Sequence, residues 1–133
     1  MLRIEGVSKS YAKGSRRAVD DLTLHVEAGE IFGFLGPNGA GKTTTIKMIV
    51  GLLTPDSGKV LVDGCDVAQD PVQAKMRMGY VPDNPDLFDR LTGVEYLNFM
   101  GDVYGVPAAE RAKRIDSLLG MFELKSAVRD LVA

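Results

Sequence analysis

Two stretches near the start of the chain alternate apolar and polar residues with a period of two. Leu2-Arg3-Ile4-Glu5 and Leu22-Thr23-Leu24-His25-Val26 each place their apolar side chains on one face and read as half-buried strands. Between them Ala12 to Arg17 reads as a loop centred on Gly14 and Ser15. Ala28-Gly29-Glu30 then turns the chain into Ile31-Phe32-Gly33-Phe34-Leu35, a short apolar run expected to be a buried strand. From Thr44 to Val50 the period changes: Ile46, Ile49 and Val50 stand at i, i+3 and i+4, which predicts a helix stopping near Gly51. Thr54-Pro55-Asp56-Ser57-Gly58 is a dense turn signal, followed by a strand at Val60-Leu61-Val62 and a hairpin-type turn at Asp63-Gly64. Asp70-Pro71 pairs an N-cap with a proline at the first helical position, opening a short helix towards Met78. Met78-Gly79-Tyr80-Val81 reads as a further strand closed by Pro82.

The last third changes character. Thr92-Gly93-Val94-Glu95 is a capping box, and Val94, Leu97, Gly101 and Tyr104 fall along one helical stripe. Pro107 opens a second helix with the stripe Ala108, Ala112, Ile115, Leu119 and Phe122, and a third is expected after Ser126 as its N-cap. Strands mixed with helices early, then helices alone, suggest an α/β core with a helical appendage.

Composition narrows the function. The 133 residues suffice for one domain with a core, and the formal net charge of −2 offers no general attraction to nucleic acid or acidic lipid. Lys9, Lys13, Arg16 and Arg17 make the nearest approach to a basic patch and read as a solvated loop. Cys65 stands alone, so no disulfide framework exists, and it is expected to pack as a small apolar residue. The only histidine, His25, falls on a surface strand position. No run of 18 apolar residues occurs and the N-terminus lacks an apolar signal segment, so a reducing cytosol is the expected compartment.

The chemistry lies between the apolar run at 31–35 and the helix at 44–50. Gly36-Pro37-Asn38-Gly39-Ala40-Gly41-Lys42-Thr43 fits the phosphate-binding pattern G-x-x-x-x-G-K-[ST] in the strand–loop–helix setting that the pattern requires. Glycines let the backbone curl so that successive N–H groups point inward, and the helix N-terminus adds partial positive charge. Lys42 is expected to reach the terminal phosphates and Thr43 to offer a hydroxyl to Mg²⁺. The pattern implies a nucleoside phosphate ligand.

The chain as a whole resembles the first part of an ATP-binding cassette domain, the nucleotide-binding subunit of ABC transporters. Leu2 to Tyr11 looks like that family's opening strand and aromatic loop, and Ala18-Val19-Asp20-Asp21-Leu22-Thr23-Leu24 resembles its second strand. Gly36 to Thr44 has the family's typical loop form, and Leu52-Leu53-Thr54-Pro55-Asp56-Ser57-Gly58 is similar to the segment after its first helix. The resemblance implies an α/β fold: a P-loop NTPase core with an N-terminal antiparallel β subdomain and the beginning of a helical subdomain. Residues 1–90 would form the ATP-binding core with its β subdomain, and residues 91–133 an incomplete helical subdomain, cut before the family's signature segment. It further implies ATP and Mg²⁺ as ligands, a membrane-embedded permease and a second nucleotide-binding domain as partners, and a place on the cytoplasmic face of the membrane. It looks most like the group serving export-type permeases.

By the same resemblance Tyr11 would stack on adenine, which suits an aromatic face of any kind against a purine. The nucleotide site would comprise Gly36, Pro37, Asn38, Gly39, Ala40, Gly41, Lys42, Thr43 and Thr44, with Thr44 at the α-phosphate and Lys42 stabilising charge at the β- and γ-phosphates. One position departs from the family. After Gly79-Tyr80-Val81-Pro82 the family usually has glutamine, which touches Mg²⁺ and the attacking water, whereas this chain has Asp83. Aspartate keeps an oxygen for the cation but is shorter and donates no hydrogen bond, so its metal role survives better than its catalytic one. Alternatively Asp83 belongs only to the turn Pro82-Asp83-Asn84-Pro85. No Ser-Gly-Gly signature and no apolar strand ending in Asp-Glu occurs, and Val60-Leu61-Val62-Asp63 continues with Gly64. Three readings follow: a truncated transporter ATPase, a module that holds ATP–Mg²⁺ without turnover (favoured for these 133 residues), and an unrelated small P-loop kinase. The kinase would need an arginine-rich lid, and Arg111, Arg114 and Arg129 are better explained as helix surface.

Overall fold

The computed structural model describes residues 1–11, 16–83, 88 and 90–132. They fall into two compact units, Met1–Tyr80 and Val81–Ala133. The first unit is built on strands β1 (Leu2–Tyr11), β2 (Arg16–Val26), β3 (Ser57–Val62) and β4 (Cys65–Asp66), with helices α1 (Lys42–Ile49) and α2 (Pro71–Met76). The strands form one sheet in the order β2-β1-β3-β4, and every neighbouring pair is antiparallel. The antiparallel part of the expected fold is thus present, and its first two strands are longer than their alternation suggested. Arg16 and Arg17, expected in a loop, belong to β2, while Lys13 lies outside the described residues.

Ile4 and Val7 are both fully buried although three positions apart, which a regular strand with period two would forbid. The β1–β2 register shifts between them, so one extra residue on β1 returns the second side chain to the core face. Val19, Met48, Val60, Val62, Val67 and Ala74 complete the core, and Cys65 packs half-buried against it as its sequence setting suggested. His25 is exposed on β2, 3.5 Å from Glu27, also as expected. Asp63 (φ 48) and Gly64 (φ 78) form the two-residue turn that an Asp-Gly pair specifies between β3 and β4. Asp70 caps α2 by accepting from the N–H of Gln73, with Pro71 next to it.

Two expected strands are not formed. Residues 31–35 have no place in the sheet, and Ile31 is 100% and Leu35 92% exposed. Val81, in the expected strand 78–81, is 92% exposed. An apolar run becomes a strand only where a neighbouring strand pairs with its backbone N–H and C=O groups. Among the described residues the sheet β2-β1-β3-β4 offers neither run a neighbour.

The second unit holds α3 (Gly93–Val103) and α4 (Ala108–Met121). Thr92 and Glu95 form the reciprocal capping box, with the Thr92 N–H donating to Glu95 Oε2 at 2.9 Å and the Glu95 N–H to Thr92 Oγ1 at 3.4 Å. Val94, Leu97 and Gly101 are half-buried as their spacing predicted, but Tyr104 is exposed. On α4 the inward residues are Arg111, Ile115 and Leu119, whereas Ala108, Ala112 and Phe122 are exposed. Arg111 takes the inner seat because its guanidinium finds acceptors there: Asn98 O at 3.0 Å, Val106 O at 3.0 Å and Asp102 Oδ1 at 2.5 Å. The third expected helix is also absent. Residues 125–129 are hydrogen-bonded turns, and the carbonyls of Val128 and Asp130 accept from the N–H groups of Val94 and Gly93 instead of continuing a helix. Those N–H groups belong to the first turn of α3, where a helix has donors without internal partners.

Candidate phosphate-binding loop

Lys42 is the first residue of α1, and the loop Gly36–Gly41 delivers the chain to it. Gly41 is the N-cap, in the left-handed region at φ 87, and no side chain caps the helix. Only the backbone carbonyl of Gly41 is engaged, accepting from the Thr45 N–H at 2.8 Å and from Thr45 Oγ1 at 3.0 Å. The first-turn N–H groups of α1, together with the dipole behind them, are therefore left without a side-chain acceptor, the arrangement that suits an anion. Gly41 also sits hard against β2: a β-carbon at this position would lie 2.3 Å from the carbonyl oxygen of Ala18. Within the loop the Ala40 N–H donates to Pro37 O at 3.2 Å.

The Lys42 side chain folds back over the loop. Its ammonium donates to Gly36 O at 2.5 Å and to Pro37 O at 2.8 Å, which leaves one of its three N–H bonds free. The consecutive threonines divide their roles by burial. Thr43 is exposed in the first turn, Thr44 is half-buried, and Thr45 is 2% exposed with its hydroxyl turned inward. The Thr44 hydroxyl lies 3.5 Å from the Tyr11 hydroxyl, so the aromatic residue at the end of β1 stands beside the helix that follows the loop. Sequence positions 11 and 36–44 are thus brought together. Asp83 belongs to the second unit and is exposed.

Sequence reading missed an ion pair beside this site. Lys9 Nζ donates to Asp56 Oδ1 at 2.7 Å and to Thr54 O at 2.7 Å, and Asp56 Oδ2 accepts from the Ser10 N–H at 2.7 Å. Hydrogen bonds from the Lys9 ammonium, then from the Ser10 N–H, hold the Asp56 carboxyl below the usual carboxylate range. Arg17 pairs with Asp20 at 2.7 Å. Lys9 and Arg17 are therefore neutralised by carboxylates rather than forming a free cationic patch. Arg111 is committed to α3, Arg114 pairs with Glu110, and Arg129 is exposed. No group of three or more His, Cys, Asp or Glu side chains is placed to hold a metal among the described residues.

Residues 19–132 match the family model described as ABC transporter. The chain belongs to the ABC transporter family. It is 42% identical over 135 residues to the Nod factor export ATP-binding protein I of Cupriavidus metallidurans, covering 98% of this chain and 44% of that protein. A solved ATP-binding subunit of an ABC transporter superposes with a TM-score of 0.91 at 33% identity, over 98% of this chain and 54% of the other. A dimeric ATP-binding cassette in a post-hydrolysis state with ADP and Pi superposes at 0.83 and 26% identity, over 99% and 62%. This member of the ABC transporter family thus spans about half the length of the proteins it matches. The likeness carries the P-loop NTPase fold class, of which the antiparallel sheet and α1 are the part formed here. It also sets aside the reading as an unrelated kinase.

Proposed function

We propose that this chain is the nucleotide-binding portion of an ABC transporter ATP-binding protein, and that it holds ATP–Mg²⁺ on the loop 36–41 and the first turn of α1. The observation that carries this reading is the uncapped N-terminus of α1 at the end of a glycine loop, with the Lys42 ammonium on the loop carbonyls and the Tyr11 hydroxyl 3.5 Å from that of Thr44. Backbone N–H groups from Asn38 to Thr43 would surround the β- and γ-phosphates, and Thr44 would reach the α-phosphate. Lys42, anchored by two loop carbonyls, retains one N–H for a phosphate oxygen and places its charge there without further ordering. Tyr11 would support the adenine by its face, leaving its hydroxyl towards Thr44.

The donor set suits Mg²⁺ rather than a metal bound by protein alone. A single exposed hydroxyl, that of Thr43, stands in the first turn of α1. Mg²⁺ takes most of its ligands from phosphates and water and needs little more from the protein. When bound, the ion would neutralise phosphate charge, with the Thr43 hydroxyl as its ligand from the first turn of α1. In the longer protein, ATP hydrolysis would be coupled to transport through a membrane permease, with a second cassette completing each site, on the cytoplasmic face of the membrane. The export relative and the dimeric post-hydrolysis cassette support that extension. For the 133 residues themselves the reading is binding without turnover. Calorimetric titration with ATP–Mg²⁺ tests the core of the proposal: one saturable site is expected, and absence of heat together with an unchanged melting temperature would overturn it.

A further inference from the structure

Tyr11 stands where β1 has lost its β3 neighbour and is paired only on the β2 side, opposite Arg16. Pairing with β3 ends at Ser8 opposite Ser57, and pairing with β2 changes register between Lys9 and Ser10. The turn between α1 and β3 takes over. The backbone N–H of Asp56 donates to Ser8 O at 2.9 Å, and its carboxylate accepts from the Ser10 N–H at 2.7 Å. Asp56 therefore acts as the next rung of the ladder, using its side chain where a strand would use its backbone. The other carboxylate oxygen takes the ammonium of Lys9, which is 16% exposed and also bound to Thr54 O. Both residues before Tyr11 are thus gripped by one turn, 45 to 47 positions further along the chain.

We propose that Asp56, together with Lys9, is a positioning residue for base recognition: it fixes the end of β1 so that the Tyr11 ring is held beside Thr44, and thereby sets affinity for the purine base but not for the phosphates. This rests on reading Tyr11 as the adenine platform. A ring already held in its binding place loses little freedom when the base arrives, whereas a ring on a loosened strand end must be ordered at that moment. The phosphates are held by the loop and α1, which Asp56 does not touch in the contacts described above.

The test compares Mg–ATP with Mg–tripolyphosphate, which carries the phosphates without the base, on the full 133-residue chain. Asp56→Asn keeps the size of the side chain but removes the charge facing Lys9. It should weaken Mg–ATP by about three- to tenfold, no more than the loss of one stacking contact, and leave Mg–tripolyphosphate unchanged. In a Tyr11→Ala background Asp56→Asn should cost nothing further, since it acts through that ring. Lys9→Gln, which breaks the same pair from the other side, should show the same base-specific loss and carries the test if Asp56→Asn does not fold. Equal losses for both ligands, an unchanged Mg–ATP affinity, or additive effects in the double variant would overturn the proposal. If Tyr11→Ala leaves the ratio of the two affinities unaltered, the platform reading itself fails and this one falls with it.

Discussion

The carbonyl oxygen of Ala18 occupies the space that a side chain on residue 41 would need. A β-carbon there would come within 2.3 Å of that oxygen and 3.2 Å of Val19 Cγ2, and the backbone at φ 87 is one that other residues rarely adopt. Through this contact β2 sets the height at which α1 begins, so the loop's last residue is fixed by packing as well as by its own conformation.

Gly41→Ala should therefore destabilise the chain by about 2 kcal/mol or more, combining backbone strain with a clash that a main-chain carbonyl cannot rotate away from. Gly39→Ala is the matched control: its φ is 84, but a β-carbon there meets nothing within 4 Å. Its cost should stay near strain alone, about 1 kcal/mol. Urea unfolding of both variants separates the two effects. Equal losses would mean that the contact with Ala18 has no energetic consequence.

Lys42→Ala removes an ammonium whose hydrogen bonds to Gly36 O and Pro37 O hold it over the loop. Losing its charge-assisted bond to phosphate should weaken ATP–Mg²⁺ by about 2 kcal/mol or more, near thirtyfold. Calorimetry on a variant shown to be folded decides this. Parental affinity in the variant would place the nucleotide elsewhere.

Tyr11→Ala should weaken ATP about tenfold, within the roughly 1–3 kcal/mol of one base-stacking contact, while Tyr11→Phe and Tyr11→Trp should largely preserve binding. The 3.5 Å approach of the Tyr11 and Thr44 hydroxyls makes the phenylalanine variant informative. Should it bind as poorly as alanine, the hydroxyl pair rather than the ring face would be the operative group.

What could be read from the sequence was local, and what could not was paired at a distance. The Thr92–Glu95 box, the Asp70 cap, the Asp63-Gly64 turn and the glycine loop each act within a few residues, so their signatures are complete in the sequence. The runs at 31–35 and 78–81 carry the composition of buried strands, yet a strand exists only with a neighbour, and among the described residues the sheet has none beside them. Arg111 defeated the apolar-stripe reading of α4 because its acceptors come from α3 and the linker, where periodicity is silent. The Lys9–Asp56 pair left no signal at all: the aspartate has the appearance of an ordinary turn residue until the fold carries it to β1.

Two carboxylates make stability acid-sensitive. Asp56 is held below the ordinary range by Lys9 and then by the Ser10 N–H, and Glu95 by the N–H and then the hydroxyl of Thr92. A carboxyl with a depressed folded-state pKa adds stability above its unfolded value, about 4, and loses that contribution as pH falls through the lower folded value. Unfolding midpoints should therefore decline below about pH 4, and each of Asp56→Asn and Glu95→Gln should flatten part of that decline. A slope unchanged in both variants would assign the acid sensitivity to other groups.

The chain should bind ATP yet hydrolyse it no faster than the uncatalysed background. Hydrolysis needs a group that orients water and donors that close over the γ-phosphate. Lys42 and the α1 N-terminus can hold charge on the phosphates, but neither can orient the nucleophile. Asp83 can accept a proton or a metal contact but cannot donate a hydrogen bond in the glutamine manner. Nor does the sequence contain a Ser-Gly-Gly segment that a second copy of the same chain could lend across a dimer. Phosphate release at saturating ATP–Mg²⁺, with Lys42→Ala subtracting contaminating activity, is the measurement. Steady turnover near the 1–10 s⁻¹ of ordinary enzymes, abolished by that substitution, would show that these residues assemble a complete catalytic site.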